Sequence, residues 1–467
     1  ALPINSSNTM FLASASPKTP PLNAKKEKGY NFATEEAYEY SDGDYDLRSL
    51  SPSSTDTASD SEDSSTTEFV VTSRKCFLDN LSESKRKLCL KERIRNYCLN
   101  PTPQRFDKPS LPAFVFDIDG VFKNGGKYAD FGAKAIRKLQ KANIPYVFMT
   151  NGGGGRTEAQ YADVMNKKLA EFDSEMLGDA KYVSEQQMIL SYTPFATHLD
   201  HLKNDPVMIV GCPRAINAAK SYGFTKAMSL SDYTRKHSTM NPFGKAGCEK
   251  DSKVIKNEKE TWNEKIKAIL VFTDPSDFFE ALQVLTDLLL SSRPGEKEYE
   301  RHHRIPIVFS NPDLLWKTQY AHARFGQGAF RLSLEACYKA RMQAMGLDED
   351  EIQQRLGDFV QFGKPENSQF FHAREAAIKR AESNGCSISH FYMIGDNPRS
   401  DITGAVRMQG VAEAKKLSHW SGMLVRTGVW QDGDKTMGAK GIFDDVVEVI
   451  DEILKKHRRE LLSFQKS

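Results

Sequence analysis

The amino-acid sequence predicts an α/β protein: a Rossmann-like, doubly wound parallel sheet with a second, smaller α/β domain inserted into it and a disordered N-terminal tail. Three observations lead to this prediction. Short apolar runs alternate with helical segments after Pro112, which is typical of a parallel sheet covered by helices. Three of these runs end in polar clusters. A long insert with strand and helix patterns of its own separates the second polar cluster from the third.

Residues 1–72 are predicted to form the disordered tail, because Ser, Thr, Asp and Pro are frequent there and aliphatic periodicity is low. Such a composition cannot bury enough apolar surface to offset the entropy of ordering. The chain of 467 residues contains 39% apolar and 27% charged residues. This composition is expected when a solvated segment and globular domains are counted together. The acidic serine cluster Ser59–Asp63 could accept phosphates, although we favour a plain solvated tail.

The next segment, residues 73–111, is predicted to be a basic, helical linker, because leucines and an isoleucine alternate with its cations. Such a helix could bind a membrane surface or a partner, or it could lie on the protein's own surface, which we favour. The cations are Lys85, Arg86, Lys87, Lys91, Arg93 and Arg95.

Composition narrows the class of protein. No apolar run approaches the roughly 18 residues that a membrane span needs. The net charge of +2 points to no particular partner. The seven cysteines form no C-x-x-C pair, so we expect reduced thiols inside a cell rather than a disulfide framework or a zinc site. The chain does not begin with methionine, and its first arginine is Arg48, which weakens the interpretation of its start as a transit peptide.

Four apolar runs are predicted as buried strands of the main sheet, and the first three lead directly into polar clusters. Ligands bind outside the carboxyl ends of the strands in such sheets, so we expect the three clusters to converge on one site. The clusters are Asp117–Gly120, Thr150–Gly152 and Gly395–Asn397. The runs are Ala113–Phe116, Tyr146–Met149, Tyr392–Ile394 and Leu424–Val425.

The predicted main domain comprises residues 112–204 and 345–467, and the predicted inserted domain comprises residues 205–344. The strands expected in the insert are Val207–Val210, Ile269–Phe272 and Ile307–Phe309. The helices expected there are Ala215–Tyr222 and Asp277–Leu290. Two polar stretches, Lys236–Glu264 and Gly295–Arg304, are predicted as surface loops, and we expect His302 and His303 to be solvated rather than bound to a metal.

The carboxylates of Asp117, Asp119 and Asp396 would by themselves repel a phosphate, so their presence indicates a hard cation among them. Mg²⁺ suits an oxygen-rich site of this kind. With the cation in place, the carboxylate of Asp117 can attack phosphorus and form an aspartyl-phosphate. Asp119 can give a proton to the leaving oxygen and later take one from the attacking water. Gly120 lets the chain turn sharply after the strand.

Three further groups could hold the phosphoryl oxygens: the hydroxyl of Thr150, the backbone amides of Asn151 and Gly152, and the positive charge of Lys364. Each group alone is explained equally well as a turn or a helix cap. Their joint appearance, in this order along the chain, favours a phosphoryl-transfer site.

These residues resemble the four signature motifs of the haloacid dehalogenase superfamily. The resemblance implies that Asp117 is the nucleophile, that Asp119 is the acid/base, and that Thr150, Asn151 and Lys364 bind the phosphate. It also implies that Mg²⁺ is held by Asp117, by the backbone carbonyl of Asp119 and by Asp396, with Asn397 and Asp401 supporting these ligands from behind. The motifs are Phe116–Val121, Thr150–Gly152, Lys364 and Gly395–Asp401.

The insert resembles the C2-type cap of the subfamily (class IIA) that includes the nucleotide phosphatase NagD and the phosphoglycolate and pyridoxal phosphate phosphatases. A closer resemblance, from about Pro112 to the C-terminus, is to the cat eye syndrome critical region protein 5 family of haloacid dehalogenase-like hydrolase domain-containing proteins. Ser310–Trp316, Arg324–Gly328, Gly363–Pro365 and Gly395–Pro398 carry it. This family implies a mitochondrial location, with the cytoplasm as the alternative. Residues 122–126 depart from the usual aliphatic pattern after the first motif.

The function expected from these features is Mg²⁺-dependent hydrolysis of a small phosphorylated metabolite. Two alternatives stay open: a scaffold or regulatory protein with little turnover, which the intact carboxylates argue against, and a mutase or phosphotransferase on the same fold. Asp119 argues against a dehalogenase, which has no leaving oxygen to protonate. The expected partner is a small-molecule phosphate ester and not a nucleic acid, while a homodimer and a partner for the tail stay open.

Substrate specificity is expected to come from the cap, because the core motifs contact only the phosphoryl group and the cation. The loop from Asn311 to Trp316 follows a cap strand and would face the core. A ring or a glycerol-like group could pack on Trp316 and form a hydrogen bond with Asn311 or Asp313. The other interpretation of Trp316, as part of the core of the cap, is equally open. A roofed cleft implies a small substrate.

Overall fold

The computed structural model describes residues 108–173, 181–242, 265–292 and 303–465, together with residues 90, 92–94, 97, 98, 101 and 299. The predicted tail and most of the predicted loops of the insert lie outside the described residues. Within the described ranges, no helix is both long enough and apolar enough to span a bilayer.

The described residues form two parallel sheets, each covered by helices, and two short antiparallel hairpins. The strands are β1 (Ser110–Phe116), β2 (Lys123–Asn124), β3 (Lys127–Tyr128), β4 (Tyr146–Met149), β5 (Met188–Ile189), β6 (Val207–Val210), β7 (Ala227–Ser229), β8 (Ala268–Val271), β9 (Ile307–Phe309), β10 (Leu315–Trp316), β11 (Arg324–Phe325), β12 (Phe359–Gln361), β13 (Ser387–Gly395), β14 (His419–Val425) and β15 (Ile442–Phe443).

The α-helices connect these strands, and they cover both faces of the larger sheet and one face of the smaller sheet. They are α1 (Gly132–Lys141), α2 (Glu158–Ala170), α3 (Phe195–His198), α4 (Ala215–Ser221), α5 (Leu230–Lys236), α6 (Phe278–Leu290), α7 (Gln327–Ala344), α8 (Glu349–Leu356), α9 (Asn367–Ser383), α10 (Thr403–Lys415), α11 (Val446–Lys456) and α12 (Arg458–Phe464).

The larger sheet has the strand order β15-β14-β13-β1-β4-β5, and all of its strands are parallel. Alternate residues of β1 point to opposite faces, as the period of two of a strand requires. Phe114 and Phe116 belong to the apolar cluster that includes α1 and α11, whereas Ala113 and Val115 pack with residues of α9 and α10. Burial on both faces explains why β1 reads as a continuous apolar run, and it confirms the predicted doubly wound architecture.

The smaller sheet has the order β12-β9-β8-β6-β7, is also parallel, and is inserted between β5 and β13. One face packs on α6 and α7. The other face, which includes Leu270, belongs to the same apolar cluster as the larger sheet. The ring of Phe272, just after β8, lies 5.1 Å from the ring of Tyr192 and 5.1 Å from that of Phe195. The inserted α/β cap therefore packs on the core through these aromatic side chains.

The boundary between the two parts differs from the one that the sequence predicts. Residues after 344 were expected in the main domain, but β12 pairs with β9 in the smaller sheet, with Phe359 opposite Ile307. Helix α8, whose Ile352 is buried with the residues of that sheet, also belongs to the insert. The chain returns to the core only after Gln361. Local pattern misses this, because a strand of three residues fits the edge of either sheet.

Six described residues of the predicted basic segment, at positions 90, 92–94, 97 and 98, are helical, and this part lies against the protein's own body. Leu90 is buried in the cluster of the larger sheet, and Ile94 packs against it. Arg93 forms an ion pair with Asp200 and a hydrogen bond of 3.1 Å with His201. This part of the segment therefore turns its apolar side chains towards the core of the protein.

Candidate active site

Three neighbouring strands of the larger sheet end at the candidate site. β1 lies between β13 and β4, and the residues that follow these strands are Asp117, Asp396 and Thr150. The backbone N–H of Asp117 donates to the carbonyl of Ile394 at 2.8 Å, which extends the ladder to the first site residue. The three predicted polar clusters thus lie at one edge of one sheet, as parallel strand order requires.

Lys364 is the cation at the centre of the site. Its Nζ lies 2.6 Å from Oδ1 of Asp117 and 2.7 Å from Oδ1 of Asp401, and all three side chains are buried. Burial lowers the pKa of Lys364, but the two carboxylates outweigh it and raise that pKa above its usual value. The ammonium therefore stays charged and holds both carboxylates in fixed positions.

The carboxylates of Asp117, Asp396 and Asp401 form a cluster in which the nearest ligand atoms lie within 4.8 Å of one another. Burial raises the pKa of Asp117 well above its ordinary range, although Lys364 opposes this. Burial, together with repulsion from Asp401, raises the pKa of Asp396 to about 7. Three carboxylates facing one ammonium leave an excess of negative charge in a buried place, and a hard divalent cation fits such an oxygen-rich set.

Glycines surround the carboxylate of Asp396. A Cβ at Gly428 would lie 1.8 Å from its Oδ2, and a Cβ at Gly120, where φ is +86°, would lie 2.2 Å from the same atom. The N–H of Val429 donates to this oxygen at 2.7 Å. The loop after β14 is thus part of the site, although it lies outside the predicted motifs.

Asn151 connects the second motif to the third. Its Oδ1 accepts from the N–H of Lys364 at 2.7 Å, and its Nδ2 donates to the Lys364 carbonyl at 2.9 Å and to Oδ2 of Asp313 at 2.9 Å. The side-chain amide of Asn151 therefore orients Lys364, and the role predicted for its backbone amide in holding phosphate stays a prediction. The Oγ1 of Thr150 accepts from the N–H of Gly152 at 2.9 Å, so the hydroxyl proton of Thr150 can be donated elsewhere.

Asp119 forms an ion pair with Lys123, a residue that lies outside the predicted motifs. Its Oδ1 lies 2.9 Å from Nζ of Lys123, which is the first residue of β2. Burial lowers the pKa of Lys123, but Asp119 outweighs it and raises that pKa. The ammonium also lies 5.7 Å from the ring centre of Tyr161. In the sequence, a lysine follows the first motif where an aliphatic residue is usual, and this difference could have indicated that Lys123 contributes to the site.

The cap contributes Asp313 to the site through its hydrogen bond with Asn151. Burial raises the pKa of Asp313 to about 7. Asn311 shapes this loop, because its Oδ1 accepts from the N–H of Asp313 at 2.7 Å and its own N–H donates to Gln327 at 3.0 Å. Trp316 lies further along, on a hairpin, with 40% of its surface exposed. Exposure to this extent does not fit the alternative in which Trp316 is part of the core of the cap.

Asn397 and Asp401 shape the turn that follows β13. The N–H of Asn397 donates to Oδ2 of Asp401 at 3.0 Å, while its side-chain oxygen accepts from the N–H of Arg399 at 3.0 Å. Asp401 thus contacts Lys364 with one oxygen and the backbone with the other. A Cβ at Gly395 would lie 2.0 Å from the second of these oxygens, so a glycine is needed there.

Two family models match separate parts of the chain. One, described as haloacid dehalogenase-like hydrolase, matches residues 114–225, and the other, described as HAD-hydrolase-like, matches residues 361–450. The mitochondrial hydrolase YKR070W of Saccharomyces cerevisiae is 31% identical over 372 residues, which cover 74% of this chain and 96% of the relative. The chain belongs to the haloacid dehalogenase-like hydrolase family. It is therefore an enzyme of the hydrolase class, and the predicted resemblance to this superfamily is confirmed.

The chain is also similar to two further proteins. A fusion protein of Schizosaccharomyces pombe, described as cardiolipin synthase (CMP-forming) / mitochondrial hydrolase, is 31% identical over 353 residues, which are 74% of this chain and 53% of the relative. The chain therefore spans about half the length of that relative. Among solved structures, a possible sugar phosphatase from Cytophaga hutchinsonii is 18% identical, with 74% of this chain and 99% of that chain covered and a TM-score of 0.48.

Proposed function

We propose that the chain is a Mg²⁺-dependent phosphatase that hydrolyses a small phosphorylated metabolite, with Asp117 as the nucleophile. The observation that carries the proposal is the buried cluster of Asp117, Asp396 and Asp401 around the single ammonium of Lys364. A phosphate dianion could enter this cluster only if its charge were balanced, which the fit of the carboxylates to a divalent cation supports.

The carboxylates of Asp117 and Asp396 and the backbone carbonyl of Asp119 would hold the cation, with Asp401 behind them. Bound there, Mg²⁺ supplies positive charge that offsets the repulsion between the carboxylates and the phosphate. Lys364 supplies a fixed charge on the same side, because its ion pairs with Asp117 and Asp401 leave it no freedom to turn away. The hydroxyl of Thr150 donates to a phosphoryl oxygen.

The first step is an in-line attack by a carboxylate oxygen of Asp117 on phosphorus. The new P–O bond forms while the bond from phosphorus to the ester oxygen breaks, and Asp119 gives its proton to the departing alkoxide. The product alcohol leaves, and Asp117 carries an acyl phosphate. In the second step Asp119 takes a proton from water, the hydroxide forms a bond to phosphorus, and the bond to Asp117 breaks. Inorganic phosphate departs and both carboxyl groups regain their first states.

The position of the cap supports the proposal of a small substrate, because Asp313 of the cap lies over the site and contacts Asn151. A folded phosphoprotein would have to displace this contact, whereas a metabolite need not. We also propose a mitochondrial location, which the names of the two fungal relatives support.

The test is phosphate release from a panel of metabolite phosphates, with Mg²⁺, with excess chelator and with Ca²⁺. We expect turnover of some members with Mg²⁺, none in chelator, and less with Ca²⁺, whose looser coordination would misplace the nucleophile. Asp117→Asn should lower turnover by about 10³-fold or more without unfolding the protein, because the amide cannot attack phosphorus.

The matched control is Asp163→Asn on α2, which removes an exposed carboxylate paired only with Lys167, and it should keep wild-type turnover. Undiminished activity in chelator would refute the role of the cation, and wild-type rates in Asp117→Asn would refute the nucleophile. Phosphate transferred to an added alcohol instead of water would favour a phosphotransferase.

A further inference from the structure

The cap carries a hairpin that protrudes from the protein surface. It runs from Leu314 to Phe325 and contains the two paired strands β10 and β11. Successive residues of a strand point to opposite faces, yet Leu315 and Trp316 are 42% and 40% exposed, and Arg324 and Phe325 are both exposed on the partner strand. Solvent therefore reaches both faces of this hairpin.

The exposed side chains of the hairpin are mainly large and apolar. Leu314, Leu315, Trp316, Tyr320 and Phe325 all have at least 40% of their surface exposed, and Phe325 reaches 68%. Five such side chains lie within twelve consecutive residues, on both faces of the hairpin, whereas single exposed apolar residues need no explanation. Leaving them in water is unfavourable, so a surface that covers the hairpin would be bound.

The charge of the hairpin is of one sign. Lys317 and Arg324 are its cations, and the sequence from Leu314 to Phe325 contains no aspartate or glutamate. The guanidinium of Arg324 lies 4.8 Å from the ring centre of Tyr320, so a cation and an aromatic ring are presented together. Aromatic side chains next to cations are the combination that binds at the interface of an anionic bilayer, where rings insert at the headgroup level and cations meet lipid phosphates.

The hairpin also lies at the rim of the candidate active site. At its base, the N–H of Gly326 donates to the carbonyl of Leu314 at 2.9 Å, directly after Asp313, whose side chain contacts Asn151. At its tip, the backbone nitrogen of Gln319 lies 3.4 Å from the place where a Cβ of Gly125 would stand, on the core hairpin β2–β3. A surface that covered the hairpin would therefore face the entrance to the site.

We propose that the hairpin Leu314–Phe325 is a membrane-docking element that binds the surface of an anionic phospholipid bilayer and presents the active site to it. The proposal concerns where the enzyme works and does not depend on the identity of its substrate. The apolar side chains enter the interface, and Lys317 and Arg324 contact the anionic headgroups.

The experiment is flotation of the full chain with vesicles of phosphatidylcholine alone and of phosphatidylcholine with about 30% phosphatidylglycerol. We expect binding to the anionic vesicles, weakened by 1 M NaCl because exposed charges are then screened. The double variant Tyr320→Ser/Phe325→Ser should lower the partition coefficient by about tenfold or more, since two apolar side chains no longer enter the interface. Lys317→Gln/Arg324→Gln should lower it by roughly tenfold.

Phe279→Ser on α6 is the matched control, because Phe279 is 52% exposed outside the hairpin, and it should leave binding unchanged. Thermal unfolding of each variant separates loss of binding from loss of fold. The proposal is overturned if the full chain ignores anionic vesicles, if the hairpin variants bind like the wild type, or if Phe279→Ser weakens binding equally. It is also overturned if sedimentation velocity shows that the hairpin joins two copies of the chain and that the variants only dissociate them. Flotation needs no turnover, so failure of the proposed phosphatase activity would not affect its outcome.

Discussion

Asp396 has little freedom to move, because Gly120 and Gly428 pack against its carboxylate. The distance of 1.8 Å between Oδ2 and a hypothetical Cβ at Gly428 is far shorter than any van der Waals contact. We expect Gly428→Ala to displace Asp396 and to lower turnover by about 10²-fold or more, since small misplacements at a reacting centre have effects of this size. The added methyl group should also destabilise the fold by about 1–3 kcal/mol. Phosphate release and urea denaturation measure the two effects.

Gly410→Ala is the control for this residue. It lies inside α10, and no atom lies within 4 Å of the place where its Cβ would stand. Alanine is favoured over glycine inside a helix by about 1 kcal/mol, so this variant should be equally active and slightly more stable. If Gly428→Ala were as active as Gly410→Ala, the packing of glycine against Asp396 would have no part in catalysis.

Two histidines, the buried His198 and the partly buried His372, join α3, α9 and the helical residues around Tyr97. The ring of Tyr97 stacks on His372 at 5.1 Å and meets the edge of His198 at 4.8 Å. Burial lowers the pKa of His198 to about 4, with Arg93 adding to the effect, and burial lowers the pKa of His372 to about 3. Because both imidazoles are neutral when folded and become protonated on unfolding below about pH 6.5, their burial costs stability as the pH falls.

We therefore predict that the folded state loses up to about 1.4 kcal/mol per pH unit for each imidazole between pH 6.5 and pH 4. The raised pKa values of Asp117, Asp396 and Asp313 act in the opposite direction, since these groups hold protons more tightly when folded. The difference in unfolding free energy between wild type and a histidine variant isolates the contribution of that histidine.

His372→Phe should gain unfolding free energy relative to wild type when urea denaturation is moved from pH 7.5 to pH 5. If the difference in unfolding free energy between His372→Phe and wild type were the same at both pH values, burial would not hinder protonation of the His372 imidazole in the folded state.

At the scale of the whole molecule, every group of the candidate site comes from residues between Asp117 and Val429. We expect deletion of residues 1–72 to leave turnover of a small substrate within about twofold, because the predicted tail supplies none of these groups. Steady-state rates and thermal unfolding of the truncated and full chains check this. Loss of activity in a truncated chain that still unfolds at the wild-type temperature would make the tail part of the mechanism.

The sequence by itself was sufficient for several buried strands and for the sheet edge where the site motifs meet. β4, β6 and β9 have the predicted bounds, because each is a short apolar run buried on both faces. The polar residues after β1, β4 and β13 lie together because parallel strands must end at the same edge. Local pattern determines both, and the site motifs could therefore be predicted before any contact was known. Their catalytic roles stay predictions.

Only the tertiary structure decided which residues meet across long separations. Lys364 lies 247 residues from Asp117, and Asp313 lies 162 residues from Asn151, so no local pattern could reveal these hydrogen bonds. The same holds for β12, whose three residues joined the smaller sheet, and for Asn151, whose amide turned to Lys364. Pairing at the edge of a sheet and the direction of a side-chain amide depend on neighbours that the fold brings together, and these neighbours are not encoded in the adjacent residues.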